Sequence, residues 1–440
     1  MLDILYTIPF LIIILWLFEK STFIKNLGFS IHSIRFAFVI KVLAGYALFF
    51  LYTYHYQDRV NSDTFKYFDD SIHLHKALLN NPLDYFKMLF GIQCDGAHFY
   101  ELYYNDMNNW HRVYESSLYN DNRLIIRINA FIRMFSFGNY HIHNLVFNLL
   151  SFIGLLALAK FFKSYVHSKW KVYVAVFLIP SVIFWSSGIL KESILIFAIG
   201  LFCYSIHKLL IKVKITTMLV VLFCLCILLV LKFYVLMALF PVVFAWFLQH
   251  KALPKWYMAY GTSLLIVSLA ALTIGLVNPE YNIINILVTK QNDFVNMSIV
   301  MKVNSAFEMA PLTPDFWSIV KAVPEGLINC FTKPWPNELK NPLFLASFFE
   351  NLLILFALII AVLFHKSKKD IAIKFVLFCF VFGLFLYAII GITTPITGAL
   401  VRYKVPVIPF ILIGILYIID LNKFHFPLKD QFQKLMTKAL

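Results

Sequence analysis

The sequence predicts an all-α fold: a polytopic transmembrane helix bundle of about eleven spans, with two large extracytoplasmic loops that carry amphipathic helices. Three observations lead there. The 440 residues are 61% hydrophobic and 14% charged, with a mean hydropathy of +0.77, far from the usage of a water-soluble domain. Apolar runs able to cross about 30 Å of hydrocarbon as helices, roughly 17 to 25 residues each, recur along the chain. The charges are also sorted, because 16 of the 23 acidic residues fall in two polar stretches, Tyr56 to Ile142 and Asn278 to Pro342, while Lys-rich, acid-poor clusters fill the short gaps elsewhere.

The expected spans lie near Ile4 to Phe18, Phe38 to Tyr54, Ile142 to Phe162, Val172 to Leu190, Ser193 to Leu209 and Thr216 to Leu231. The others lie near Tyr234 to Leu248, Met258 to Leu276, Phe344 to Phe364, Ile371 to Ile390 and Tyr403 to Ile419. The first is short, but Met1-Leu2-Asp3 offers no basic n-region and no small-residue cleavage site precedes Glu19, so it reads as a retained span and not as a secretory signal. The chain thus divides into two N-terminal spans (1–55), a first outer loop (56–141), central spans (142–277), a second outer loop (278–343), three C-terminal spans (344–422) and a basic tail (423–440).

Lys and Arg near helix ends resist translocation, so their clusters mark the cytoplasmic side. The clusters are Lys20 with Lys25, Lys160/Lys163/Lys169/Lys171, Lys208/Lys212/Lys214, Lys251/Lys255, Lys366/Lys368/Lys369 and Lys423 through Lys438. With eleven spans all of them share one side, which puts the N-terminus outside, the C-terminus in the cytoplasm, and the chain in a bacterial inner membrane. The net charge of +15 is then topological, attracted to anionic head groups, and calls for no nucleic-acid partner. Cys203, Cys224, Cys226 and Cys379 fall in spans as packing residues, whereas Cys94 and Cys330 fall in the two outer loops, where a disulfide is open to them.

The first outer loop carries helical patterns of its own. Asp63 to Leu79 alternates apolar and polar faces and stops at Asn80-Asn81-Pro82. Asn122 to Phe135 places Leu124, Ile125, Ile128, Phe131 and Ile132 on one side, with Arg123, Arg127 and Arg133 elsewhere. Both patterns suit amphipathic helices on the membrane surface or against the bundle. Gln93 to Asn122, rich in Tyr, Asp, Asn and His, suits a loop over a polar cleft. The chain has no repeat, Gly-rich phosphate loop, HExxH or CxxC, which argues against an ATP-driven enzyme or an HExxH zinc hydrolase.

Three polar groups remain at the outer ends of spans. Ser62-Asp63-Thr64-Phe65-Lys66-Tyr67-Phe68-Asp69-Asp70 opens the first loop, and a carboxylate there, Asp63 first and Asp69 or Asp70 after it, is able to deprotonate an attacking hydroxyl. The alternative is that Asp63 caps its helix, directly or through Ser62. Pro180 to Glu192 joins two spans through a Ser-rich turn. Its Trp185, Ser187, Lys191 and Glu192 form either a cleft wall or a plain turn in which Lys191 and Glu192 neutralise each other. Thr393 to Pro406 carries Arg402, Tyr403 and Lys404; the rigid fork of Arg and the mobile charge of Lys match a lipid-linked phosphate. Lys232 adds a similar charge at the end of the sixth span. Trp110, Tyr103 and Trp335 offer stacking faces for sugars.

A carboxylate early in a large outer loop, about eleven spans, a second outer loop and cations near the last spans resemble the GT-C class of integral membrane glycosyltransferases. The resemblance implies inverting transfer of a sugar from a polyprenyl-phosphate donor to a glycan or lipid acceptor on the extracytoplasmic face, in cell-envelope assembly. Asp63 is the position that matches the class's catalytic acid, although here it follows the second span of an N-outside chain. On this reading Arg402, Lys404, Lys191 and Lys232 hold the donor phosphate, no nucleotide is expected, no metal ligands are assigned, and a divalent cation is left open as cofactor. A polymerase or ligase of the O-antigen type, acting on undecaprenyl-pyrophosphate glycans, shares this layout. A transporter or flippase of lipid-linked sugars is the non-enzyme alternative, but the chain lacks the inverted repeat and paired broken spans expected of one.

Overall fold

In hydrocarbon each N–H and C=O must be paired within its own segment, so helices are the only open-ended solution. The computed structural model describes residues 2–423 apart from 57, 61, 112–119, 340, 341, 368 and 370, and among these it is helical with only isolated β-bridges. The expectations placed on Lys368 and on the tail beyond Lys423 lie outside the described residues. Seven helices are long and apolar enough to cross a membrane, and a bent pair makes an eighth. The chain is an integral membrane protein.

The elements run α1 (Thr7–Lys20), α2 (Ile31–Phe50, continued as a π-turn to Tyr56), α3 (Asp63–Asn80), α4 (Pro82–Phe90), α5 (Asn122–Ser136) and α6 (Tyr140–Lys163). Next come α7 (Lys169–Phe177), α8 (Pro180–Trp185), α9 (Lys191–Ile211), α10 (Ile215–Leu231), α11 (Phe233–Lys251) and α12 (Trp256–Val277). The last are α13 (Ile283–Val300), α14 (Phe316–Thr332), α15 (Pro342–Leu363), α16 (Ile373–Thr393), α17 (Thr397–Tyr403) and α18 (Ile408–Ile418). The seven long spans are α2, α6, α9, α11, α12, α15 and α16.

The other four expected spans differ for physical reasons. Helix α1 has 14 residues and α10 has 17, which at 1.5 Å per residue give about 21 and 26 Å. The fourth is interrupted before Pro180, whose ring and missing N–H force Ile179 into an extended conformation (ψ 118°). The last is bent by 62° between α17 and α18, where Pro406 and Pro409 flank the corner.

Broken helices leave carbonyl groups inside the bundle, and lysines from other segments take them. Lys41 of α2 donates from Nζ to the carbonyl and hydroxyl of Ser186 at the end of α8, at 2.6 and 2.7 Å. At the start of α8, the Glu350 carboxylate accepts from the Ser181 N–H and hydroxyl, at 2.8 and 2.6 Å. The signs match the helix dipole at both ends. Lys171 serves α18 in the same way, reaching the carbonyls of Leu416 (2.6 Å) and Ile419 (2.9 Å). Lys404 serves α14, reaching the carbonyls of Cys330 (2.9 Å) and Lys333 (3.3 Å).

The Lys-rich ends lie together. Lys160 and Lys163 donate to the carbonyls of Asn26 and Leu27, Lys374 reaches Gln249 beside Lys251, and Lys423 reaches His365 beside Lys366. The two loops gather at the other end: Ser305 and Phe307 exchange backbone hydrogen bonds with Thr397 and Pro395, and the first loop reaches α9 and α17 through charged side chains. Both loop cysteines are free and buried. No disulfide joins them: the Cys330 thiol donates to the Tyr387 carbonyl at 3.3 Å, while Cys94 lies beside Arg127.

In the first loop, α3 ends where Asn81 takes over as N-cap of α4. Helix α5 departs from its expected single apolar face, because Ile125, Ile126 and Ile132 are buried against α3 and α4 and Leu124 and Ile128 are half-buried beside them, while Phe131 is exposed. At the centre, α6 and α9 cross so closely at Gly154 and Gly200 that a Cβ on either would overlap the other's backbone, the small-residue approach typical of membrane helices. Gly200→Leu should therefore separate this pair and destabilise the bundle by about 3 kcal/mol, the upper part of the usual overpacking range. Thermal unfolding of the detergent-solubilised variant measures it, and an unchanged midpoint would show that the crossing carries little of the stability.

Candidate functional site

Arg402 of α17 is the hub of the end opposite the Lys-rich ends. Its Nη1 donates to Asp63 at the start of α3 and its Nη2 to Glu192 at the start of α9, the latter at 2.7 Å. Both acids occupy first turns, where the helix dipole favours negative charge. Asp63 does not cap its helix, and Ser62 donates its hydroxyl back to the Asp58 carbonyl instead. The other Asp63 oxygen accepts from Lys66 at 2.5 Å and from the Tyr67 hydroxyl at 3.3 Å. Trp185 stands 6.0 Å from the guanidinium.

A second group adjoins this one through Tyr67. Lys191 pairs with Asp121 at 2.7 Å and lies 5.5 Å from the Tyr67 ring. Lys232, between α10 and α11, lies 3.8 Å from the other Asp121 oxygen and 4.5 Å from the Tyr403 ring, which neighbours Tyr234. Lys191 and Glu192 are both buried and turn to different partners, so they do not neutralise each other in an exposed turn. Charges this desolvated must be paired, which the cluster does across five segments.

Three buried polar atoms here have no hydrogen-bond partner among the described residues: Arg402 Nε, Glu192 Oε1 and the Tyr234 hydroxyl. Buried polar groups are seldom left so, and their concentration in one cluster fits a place kept for water or ligand. Two are donors and one is an acceptor.

The structure therefore brings together Asp63, Lys191, Glu192, Lys232, Arg402 and Tyr403, with Trp185 at the edge. It directs four other candidates elsewhere. Asp69 makes a two-pronged pair with Arg59 at 2.7 and 2.8 Å. Asp70 accepts the N–H groups of Asn108 and Asn109, at 3.2 and 2.8 Å, and so pins the loop; burial pushes its carboxyl above the usual range against the pull of those N–H groups. Ser187 donates to the carbonyls of Lys41 and Ile183. Lys404 is spent on the carbonyls of Cys330 and Lys333 and on Asn351. Among the described residues no group of three His, Cys, Asp or Glu is placed around a metal ion.

Sequence reasoning missed Asp121, Lys66, Tyr67, Tyr234, Lys41 and Glu350. Lys41 and Glu350 had a signal, being single charges inside apolar runs. Asp121 had none, since it lies in a loop without period.

Burial alone would raise the Asp63 carboxyl, but the charges of Lys66, Arg402 and Lys191 outweigh it and hold the group well below the usual carboxylate range. A depressed folded value contributes stability that is complete above the unfolded value of about 4 and is lost as pH falls toward the folded one. The gap in melting temperature between wild type and Asp63→Asn should thus stay level from about pH 8 to 5 and close below about pH 4. A gap that shrinks already near neutral pH would contradict the ion pairing.

No family model matches the chain, and no curated protein or solved structure shows significant similarity to it.

Proposed function

We propose that this protein is a membrane glycosyltransferase that moves a sugar from a polyprenyl-phosphate donor to an acceptor at the extracytoplasmic face. The observation that supports it most is the Arg402 guanidinium, which faces a carboxylate base candidate on one side and keeps a buried Nε without a partner on the other. The proposed placement is eleven crossings with the N-terminus outside and the C-terminus cytoplasmic, in a bacterial inner membrane. Grouping of the lysine-rich ends opposite the two loops supports that orientation.

In this reading the donor phosphate sits against Arg402 Nε, Lys232 and the Tyr234 hydroxyl, while Glu192 Oε1 accepts a hydroxyl of the bound sugar. The phosphate draws Arg402 and Lys66 partly away from Asp63, which raises the basicity of its carboxylate. The acceptor oxygen then attacks the anomeric carbon and passes its proton to Asp63. The bond from that carbon to the phosphate oxygen breaks, and the lipid phosphate leaves with the electron pair, its charge met by cations already in place. Asp63 and Glu192 are held in the first turns of their helices and Arg402 on the short α17, which fixes their directions as orientation requires.

One observation favours a glycan as acceptor, and with it the polymerase form of the activity. A shallow, open recess is lined by Lys333, Trp335, Pro336, Asn337 and Glu338, and an aromatic ring beside polar groups on an open surface suits an extended glycan. Glu338 accepts from Thr397 at 3.3 Å. Thr397 and Arg402 lie on one short helix, about 7.5 Å apart along its axis.

Two variants test the proposal in membranes supplied with labelled lipid-linked sugar. Asp63→Asn should lose at least about 10²-fold in transfer, the usual contribution of a positioned base. Arg402→Lys, which keeps the charge and loses the two-carboxylate fork, should lose transfer to a similar degree. Full transfer by folded Asp63→Asn removes the base. Purified protein that moves the labelled lipid across vesicles without a new glycosidic bond is a transporter instead.

A further inference from the structure

The first loop has a second face, turned away from the charged cluster. On α4, Leu83, Phe86 and Phe90 recur at i, i+3 and i+7, and on α5 Phe131 and Phe135 recur at i and i+4; all five are exposed. Arg127 of α5 donates to the Met88 carbonyl at 2.7 Å and the Tyr85 hydroxyl to the Ala130 carbonyl at 3.2 Å, so the two helices form one slab. Rings pair along each stripe, Phe86 with Phe90 at 6.5 Å and Phe131 with Phe135 at 6.1 Å. Just past α5 stands Phe137, 95% exposed and in a left-handed conformation (φ 51°), three residues before α6 enters the membrane.

The polar groups of this slab are withdrawn from the stripe. Arg123 donates to the Trp110 carbonyl, Arg127 to Met88 and Arg133 to Ser71 and Phe68, all inside the loop. Lys87, half-buried beside Phe86, is the exception, and a lysine stem can run along apolar surface to reach the head groups. A contiguous apolar face of this kind is costly in water. Its continuity with the entrance of α6 selects its occupant, since Phe137 joins the slab to a helix already in hydrocarbon.

We infer that the α4–α5 slab is a membrane-inserted platform: the first loop lies on its side with these aromatic stripes among the acyl chains of the outer leaflet. Helix α3 packs on the slab and carries Asp63, so insertion fixes the charged cluster at head-group depth. The inference does not rest on the transfer reaction.

Single nitroxide labels at positions 83, 90, 131 and 135, in full-length protein carrying Cys226→Ser, test it in vesicles of phosphatidylethanolamine and phosphatidylglycerol. Cys226 is the exposed cysteine, the other five being buried. All four sites are on the surface, so the labels leave the core intact. Collision with oxygen should exceed collision with a water-soluble nickel chelate several-fold at each of them, and the order should reverse for a label at Asp106, which is 76% exposed. Nickel access exceeding oxygen along the stripes shows a face in water, and exclusion of both reagents shows a face covered by protein; either overturns the inference.

Discussion

A guanidinium with 13% of its side chain exposed cannot stay where Arg402 is without matching charge, and that constraint organises the end of the molecule where the two loops meet. Its two partners lie 339 and 210 residues away in sequence. One is the first residue of the first loop's leading helix and the other opens a central span. A single planar group with a rigid fork of donors thus fixes the first loop, the core and the last bent span relative to one another. Glu192 is held by Arg402 directly, while Lys66 and Tyr67 are held through Asp63.

A second constraint lies deeper, where the backbone itself is the polar group at risk. A span that breaks in hydrocarbon exposes carbonyls that no water reaches. Lys41 answers this at the end of α8 and Glu350 at its start, and Lys171 and Lys404 cap the last carbonyls of α18 and α14 in the same manner. The two charges on α8 do more than satisfy atoms. They hold a six-residue helix from both ends, and the turn that follows it delivers Lys191 and Glu192 to the cluster within a few residues. The break before Lys191 is therefore the means by which charged side chains reach the cluster with defined direction.

The helical class and the seven long spans were legible because burial in lipid demands long, nearly uncharged runs, a signal that survives without tertiary context. Asp63, Lys191, Glu192, Lys232 and Arg402 were legible for the complementary reason: charge beside apolar sequence is expensive and must be compensated somewhere. Which charge meets which was hidden. Lys404 and Arg402 are two residues apart and both cationic, yet two helical steps, about 200°, send one to the carbonyls of α14 and the other to Asp63. Asp69 and Asp70 look equivalent to Asp63 in the sequence, but successive helical positions point about 100° apart. Asp121 left no trace because its role depends on contacts from α9 and from Lys232 that only the fold supplies.

The same logic bears on how such a cluster is able to work at all. In the resting structure both Asp63 oxygens are satisfied by cations, and a carboxylate held that firmly ionised is a weak base. A base becomes stronger only if something else takes its cations. On the proposed reaction, an incoming phosphodiester is suited to do so, because it matches a carboxylate in charge and its oxygens accept from several donors at once. In the function we propose, competition for Arg402 and Lys66 would link donor binding to activation of Asp63, so that an empty site would protect a carboxylate which a filled site exposes. The unpartnered Nε of Arg402 gives such a competitor a first point of attachment before any existing pair has to break.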